Sequence, residues 1–253
     1  MNMKIISGAN QKGGVGKSTF VAHLAYRALE KGLRVLLVDM DKQGSLSLTF
    51  NASNKSGLVA SMLFSDDFVK QPAQKVAENL FIIPADNKLL AIDKAENTVI
   101  RNPAKALKQY GNDFDICIID TPPLLGIRLM SSLAASDYVV TPVSIGLYEM
   151  AGVADLIQTI HVIRTQGFNP KLKHIGILPM KTNNRSTREQ AGLQELKASY
   201  GDVILNESLP ERAAVKNAVD EKVAVWHKPR GGSHQKAAKE WIAACDAVLA
   251  RIK

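Results

Sequence analysis

Hydrophobic residues along this chain fall into short, uninterrupted runs rather than alternating ones. The runs at 4–7, 34–38, 80–83, 115–119, 138–141 and 174–179 are rich in Ile, Val and Leu. Continuous apolar runs of that length predict strands covered on both faces. A shorter run at 203–205 is a candidate seventh strand. Between the runs, helical spacing appears at 17–31, 104–110, 126–135, 150–166 and 187–200. Regular alternation of strand and helix predicts an α/β fold with a doubly wound, mostly parallel sheet, helices on both faces and right-handed crossovers. With no linker, repeat or low-complexity tract to divide it, the whole chain, 1–253, is expected to form one domain. The last helical stretch, 235–252, places Ala238, Trp241, Ile242, Cys245, Val248, Leu249 and Ile252 on one stripe. Its polar side mixes Glu240 and Asp246 with Lys239 and Arg251, so this helix is expected to pack on the sheet rather than on a membrane.

Composition adds two constraints. Only two cysteines are present, Cys117 and Cys245, far apart and without a CxxC neighbour, which argues against a disulfide framework or a zinc site within the chain. No run approaches a membrane span, and the N-terminus carries no secretory pattern, so a soluble cytoplasmic protein is expected. The net charge is +8. Between 161 and 188 the basic residues Arg164, Lys171, Lys173, Lys181, Arg185 and Arg188 occur without a single Asp or Glu. Such a window can attract a phosphate backbone or simply form a solvated basic face.

The strongest chemical signal is Gln11-Lys12-Gly13-Gly14-Val15-Gly16-Lys17-Ser18-Thr19, between the first strand and the first helix. A polyphosphate needs donors that approach without side-chain obstruction. Glycines let backbone N–H groups wrap it, and the helix N-terminus adds partial positive charge. In such a loop Lys17 reaches the β- and γ-phosphates, and the Ser18 hydroxyl ligates Mg²⁺. A dinucleotide fingerprint is excluded, because it would need glycine at Thr19. The standard spacing of a phosphate loop would place glycine at Gln11; this chain has a second lysine, Lys12, beside it instead.

On these residues, KGGVGKST resembles the deviant Walker A box of the ParA/MinD ATPases, and the resemblance extends over essentially the whole chain. It implies that residues 12–19 (Lys12, Gly13, Gly14, Val15, Gly16, Lys17, Ser18 and Thr19) bind ATP with Mg²⁺, and that Lys12 reaches across a sandwich dimer to the partner's nucleotide.

Three acids follow at strand ends. In a doubly wound sheet the carboxyl ends of the strands face the ligand crevice, so Asp39 and Asp41, two apart, are both available there. The run Asp39-Met40-Asp41-Lys42-Gln43-Gly44 resembles the family's DxDxQG segment, which implies that Asp41 positions the attacking water and that Asp39 supports the Mg²⁺ shell. Lys42 stands where the family commonly has proline. Asp120, closing the apolar run before Thr121-Pro122-Pro123, has the form of a Walker B acid, holding Mg²⁺ through water.

Further along, Leu209-Pro210-Glu211-Arg212 resembles the family's I-P-R-N segment, which implies that Pro210 and Arg212 border the adenine, with arginine replacing the usual asparagine. Glu211 occupies a position often held by a DNA-contacting arginine. The expected DNA-binding set therefore moves to Arg185, Arg188, Lys216, Lys222, Lys228 and Arg230, contacting duplex without regard to sequence.

The resemblance implies a slow, partner-stimulated ATPase that dimerises around ATP. It would associate with the nucleoid, answer to a ParB-like activator, and partition or position a plasmid, chromosome or other large cargo. The phosphate loop starts too early for an N-terminal helix-turn-helix, so operator-specific repression is not expected. A MinD-like membrane-associated ATPase is the alternative. Ligases of this fold and iron proteins form a third class, for which Lys12 and the cysteine placement argue poorly.

Overall fold

The computed structural model describes residues 3–52, 57–145, 149–183 and 186–253, with the side chains of 149–151 excepted. The strands are β1 (Lys4–Gly8), β2 (Val35–Asp39), β3 (Gln74–Ala77), β4 (Leu80–Ile83), β5 (Ile116–Asp120), β6 (Tyr138–Ser144), β7 (Lys173–Thr182) and β8 (Leu209–Pro210). The helices are α1 (Lys17–Glu30), α2 (Ser45–Thr49), α3 (Leu89–Ile92), α4 (Asn102–Lys108), α5 (Ile127–Ala135), α6 (Glu149–Thr165), α7 (Thr187–Tyr200), α8 (Ala213–Asp220) and α9 (Gly231–Ala250). The strands form one sheet in the order β3-β4-β2-β5-β1-β6-β7-β8. Every pairing is parallel except β3 with β4.

This is the doubly wound sheet that the apolar runs predict, for a simple reason. Residues of β2 and β5 are buried at every position, so neither face of the central strands can meet water and both must be roofed by helices. One roof carries α1 and α9, with Phe20, Val21, Leu24, Trp241, Cys245 and Val248 in a common core with Ile6, Leu37 and Ile118. The opposite roof packs Ile100, Leu107 and Ile127 against Leu36, Val38 and Ile119. The C-terminal helix is thus core, as its stripe predicts. Among the described residues no helix is long and apolar enough to cross a membrane.

Several elements depart from the sequence expectation, the short helices α2 and α3 among them. The run 203–205 is no strand: Gly201–Val203 forms a 3-10 turn, and Ile204 makes only an isolated parallel bridge to Ile177. The sheet edge there is instead the two-residue β8, whose Pro210 is tolerated because an edge strand can spare a donor. At the other edge, β3 is a half-exposed antiparallel strand too polar to show as an apolar run. Helix α8 is also unforeseen, having only Ala218 fully buried. Finally, β7 continues through Pro179 to Thr182. That extension carries Met180 and Lys181 to the carboxyl end of the sheet.

Gly8 shows how closely α1 lies on β1. A Cβ at Gly8 would sit 2.7 Å from Cγ2 of Val21. Gly8→Ala is expected to destabilise the fold by about 1–3 kcal/mol through overpacking, and Val21→Ala in the same chain to recover part of that loss. Thermal melts of the two single variants and the double variant measure the coupling.

Candidate functional site

Parallel strand order brings three distant positions into one row. Gly8 pairs in register with Asp120, and Asp120 pairs with Asp39. The loop after β1 therefore leaves the sheet beside two acidic strand ends. Gly16, at φ +93°, turns that loop into α1, a backbone conformation available at little cost only to glycine. The first N–H groups of a helix have no intrahelical acceptor and point toward whatever lies before its N-terminus.

The two lysines of the loop diverge. Lys17 is buried, and its Nζ donates to Oδ1 of Asp120 at 2.7 Å and to the carbonyl of Thr121. Thr121 in turn donates to the carbonyl of Gly8 at 3.0 Å, closing a small buried network. The second oxygen of Asp120, Oδ2, is buried and has no hydrogen-bond partner. Lys12, by contrast, is exposed. Its backbone N–H is held by Oδ1 of buried Asn10 at 2.8 Å, while Nδ2 of Asn10 donates to Pro142. The aliphatic stem of Lys12 lies against Gly152 of α6, where an added Cβ would come within 3.1 Å of Lys12 Cγ. The Lys12 ammonium makes no hydrogen bond or ion pair among the described residues.

Asp39 is fully buried and heavily engaged. Its Oδ2 accepts from the backbone N–H and the hydroxyl of Ser47, at 2.8 and 2.7 Å. Its Oδ1 accepts from the N–H of Asp41 at 3.1 Å. Burial first, and then the neighbouring Asp120, push its carboxyl well above the usual carboxylate range against the pull of those bonds. Asp39 thus anchors the 41–47 turn from beneath. Asp41 is half-exposed on the cleft wall, its Oδ1 accepting from the N–H of Gln43.

The cleft above this row has a volume of about 710 Å³ and takes in the loop 12–19, Ser18 and Thr19 included, together with Asp41, Pro210 and Arg212. The sequence missed several of its walls: Gln43, Ser45 and Thr49 on one side, Met180, Lys181, Val215, Val219 and Trp241 on the other. Lys181, at φ +53°, sends its ammonium across the loop to the carbonyl of Gly14 at 2.6 Å. Gln43 belongs to the Asp39–Gly44 run, but no local pattern linked the residues of β7, α8 and α9 to the loop, which they meet only after the sheet is wound.

His23, nearly two turns into α1, ties this assembly to the C-terminal segment. Its Nδ1–H donates to the Thr19 carbonyl at 2.7 Å, and its Nε2 accepts from the N–H of Val225 at 3.1 Å. Its ring lies 4.4 Å from that of Trp241. Burial holds its pKa down to about 4, with the Thr19 bond opposing. The unfolded chain binds a proton here below about 6.5 whereas the folded chain resists to about 4. The resulting stability is present above about pH 6.5 and is lost as pH falls toward 4. Half-buried His174, also held down to about 4 by desolvation, contributes in the same sense. Denaturant melts at pH 7 and pH 4.5 are expected to show this loss, and His23→Gln to show a smaller one.

The proposed DNA-contacting residues do not behave as one set. Arg188 is exposed in the first turn of α7, and Lys228 and Arg230 are exposed just before α9. Lys216 lines the cleft and pairs with Glu211 at 2.9 Å. Lys222 bonds the side chain of Asn51. Arg185 lies outside the described residues.

The donor set suits Mg²⁺ held largely by phosphate oxygens and water. Among the described residues there is no group of three or more His, Cys, Asp or Glu that would cage a metal alone. The unpartnered Oδ2 of Asp120 is a buried acceptor of the kind that could hold a metal-bound water.

A parallel doubly wound sheet with a glycine-rich lysine loop between β1 and α1, and an acid at the end of β5, defines a P-loop nucleoside triphosphatase. A family model described as an AAA domain matches residues 3–174. Protein IncC of Escherichia coli is 35% identical over 258 residues, 99% of this chain and 70% of its own. The chromosome-partitioning ATPase Soj of Thermus thermophilus is 31% identical over 234 residues, 89% of each chain. Among solved structures, cobyrinic acid a,c-diamide synthase from Mycobacterium smegmatis with a bound ATP analogue and magnesium superposes with a TM-score of 0.79 at 28% identity, covering 98% of this chain and 94% of that one. The chain belongs to the ParA/MinD family of P-loop ATPases, alongside the chromosome-partitioning ATPase Soj and protein IncC.

Proposed function

We propose that this protein binds Mg-ATP in the cleft above β1, β2 and β5, closes into a dimer around two nucleotides, and uses slow hydrolysis to time the release of DNA or other large cargo. The observation that carries this reading is the divergence of the two loop lysines. One ammonium is buried beside the Walker-type acid, and the other stands at the cleft mouth without a partner among the described residues. On this reading Lys17 would turn from Asp120 to the β- and γ-phosphates of its own nucleotide, and Lys12 would meet a charge arriving from outside. Ser18 opens α1 and would ligate Mg²⁺, which neutralises charge on the phosphate oxygens when bound. Asp120 would hold one of its waters, Asp39 would brace the shell, and Asp41 would orient the attacking water. Pro210 and Arg212 would border the base.

The partners follow from the same reading: a second copy when ATP is bound, duplex DNA of any sequence, and a ParB-like activator. Packing of α9 into the core means that this helix is not the lipid-binding element that the MinD-like alternative calls for.

Light scattering after size exclusion tests the dimer. The nucleotide-free chain is expected to elute as a monomer and the chain with ATP and Mg²⁺ as a dimer, with Asp41→Ala persisting longest. Monomers throughout, in wild type and variant alike, would show the sandwich reading to be wrong. Lys12→Ala should lower dimerisation and turnover while leaving monomer affinity for ATP within about twofold, because an exposed, unpaired side chain contributes little to the isolated subunit.

A further inference from the structure

The cleft is chemically graded. The loop 12–19 forms its charged part, with Met180 packed against Gly16, and Leu209, Val215 and Val219 contribute an apolar wall from β8 and α8. A nucleotide matches that gradient in one orientation, with phosphates on the loop and the flat base against the apolar wall. Of the charged side chains beside that wall, Glu211, Lys216 and Asp220 are exposed, whereas Arg212 is half-buried. Its neighbour Pro210 has no N–H to offer a base.

Arg212 is held rigidly. Its Nε and Nη2 donate to the two carboxylate oxygens of Glu240 on α9, each at 2.7 Å. That fork fixes the plane of the guanidinium. The remaining nitrogen, Nη1, makes no hydrogen bond among the described residues and carries two N–H donors. The free edge of this side chain therefore donates only, and no rotation converts it into an acceptor.

We infer that Arg212, clamped by Glu240, is the residue that reads the purine, and that the site takes GTP alongside ATP. This rests on the nucleotide reading of the cleft and deepens it. The two purines share an acceptor at N7. They differ beside it, where adenine carries the N6 amino donor and guanine the O6 acceptor. A side-chain amide offers one donor and one acceptor and so matches adenine; a guanidinium edge matches guanine N7 and O6. Arginine at this position removes the acceptor that would favour adenine and adds a donor that guanine can use.

The full-length chain with Mg²⁺ is titrated with the β,γ-imido analogues of ATP and GTP, and with inorganic tripolyphosphate as a probe that has no base. Wild type is expected to bind the two analogues within about tenfold of each other. Arg212→Asn and Arg212→Gln are each expected to move the ratio toward the adenine analogue by about fivefold or more, the low end of what one bidentate base contact discriminates. Tripolyphosphate affinity should stay within about twofold, since the phosphate end of the cleft is untouched. A smaller shift, a shift toward guanine, or a wild type that prefers adenine by more than about tenfold overturns the inference. Loss of tripolyphosphate binding in both variants assigns Arg212 to holding the fold and also overturns it. If wild type binds neither analogue nor tripolyphosphate, the phosphate-site reading itself fails, a distinct result.

Discussion

Lys17→Ala is expected to abolish productive Mg-ATP binding and to lower kcat/KM by about 10²–10³-fold or more, the scale of removing one preorganised charge from a transition state. Two effects combine here. The ammonium that meets the β- and γ-phosphates is lost, and Asp120 is left as a buried acid without its 2.7 Å partner. Removing one member of a buried pair costs about 3–5 kcal/mol, because the remaining charge stays desolvated. The variant should therefore also melt at lower temperature, and Lys17→Ala with Asp120→Asn should melt higher than Lys17→Ala alone while remaining inactive. Calorimetry and a phosphate-release assay separate the two. Full ATP affinity in Lys17→Ala would remove the phosphate loop from the account.

The second large effect is the response of DNA binding to salt. If the ATP-bound dimer engages six to ten phosphates, raising salt from 50 to 200 mM should weaken binding by roughly 10³–10⁵-fold, through the loss of counterion release. Dimerisation joins two modest basic patches and multiplies their avidity, so the nucleotide-free chain should bind far more weakly. Charge reversal of Arg185 with Arg188, or of Lys228 with Arg230, should reduce affinity to a similar degree on two unrelated duplexes and leave ATP affinity unchanged. Reversal of Lys216 should instead disturb the cleft that it lines. Anisotropy titrations read each outcome. Tight binding at high salt, or ATP-dependent binding to anionic vesicles without DNA binding, would favour the membrane-associated alternative.

The parts of the candidate site legible in the sequence are those in which chemistry is local. The loop 12–19 needs its glycines, lysine and hydroxyl at fixed spacing on one turn of backbone, so a string of residues shows it. Asp39 and Asp120 end apolar runs, and a strand end in a parallel sheet has one direction to face. Their register, one beside the other with Gly8, follows from sheet order, which no local pattern encodes. Asp39 is a case of partial legibility: its position at the crevice was readable, but its bonds to Ser47 and Asp41 and its raised pKa required the fold.

The sequence by itself determined the strand–helix alternation, the buried central strands, the phosphate loop and the packing of the last helix. Each depends on residue type within a short window, where hydrophobic period and backbone freedom act directly. Tertiary structure alone decided the rest. The weakly patterned β3, β8 and α8 form where neighbouring elements supply the burial or hydrogen bonds that their own residues lack. The apolar lining of the cleft gathers Met180, Val215, Val219 and Trp241 from β7, α8 and α9. Lys216 was separated from the other surface cations by its pairing with Glu211. Arg212 acquired its fixed, donor-only edge from Glu240, 28 positions away in the chain. Such contacts join residues through space, and nothing in the local sequence of either partner specifies the other.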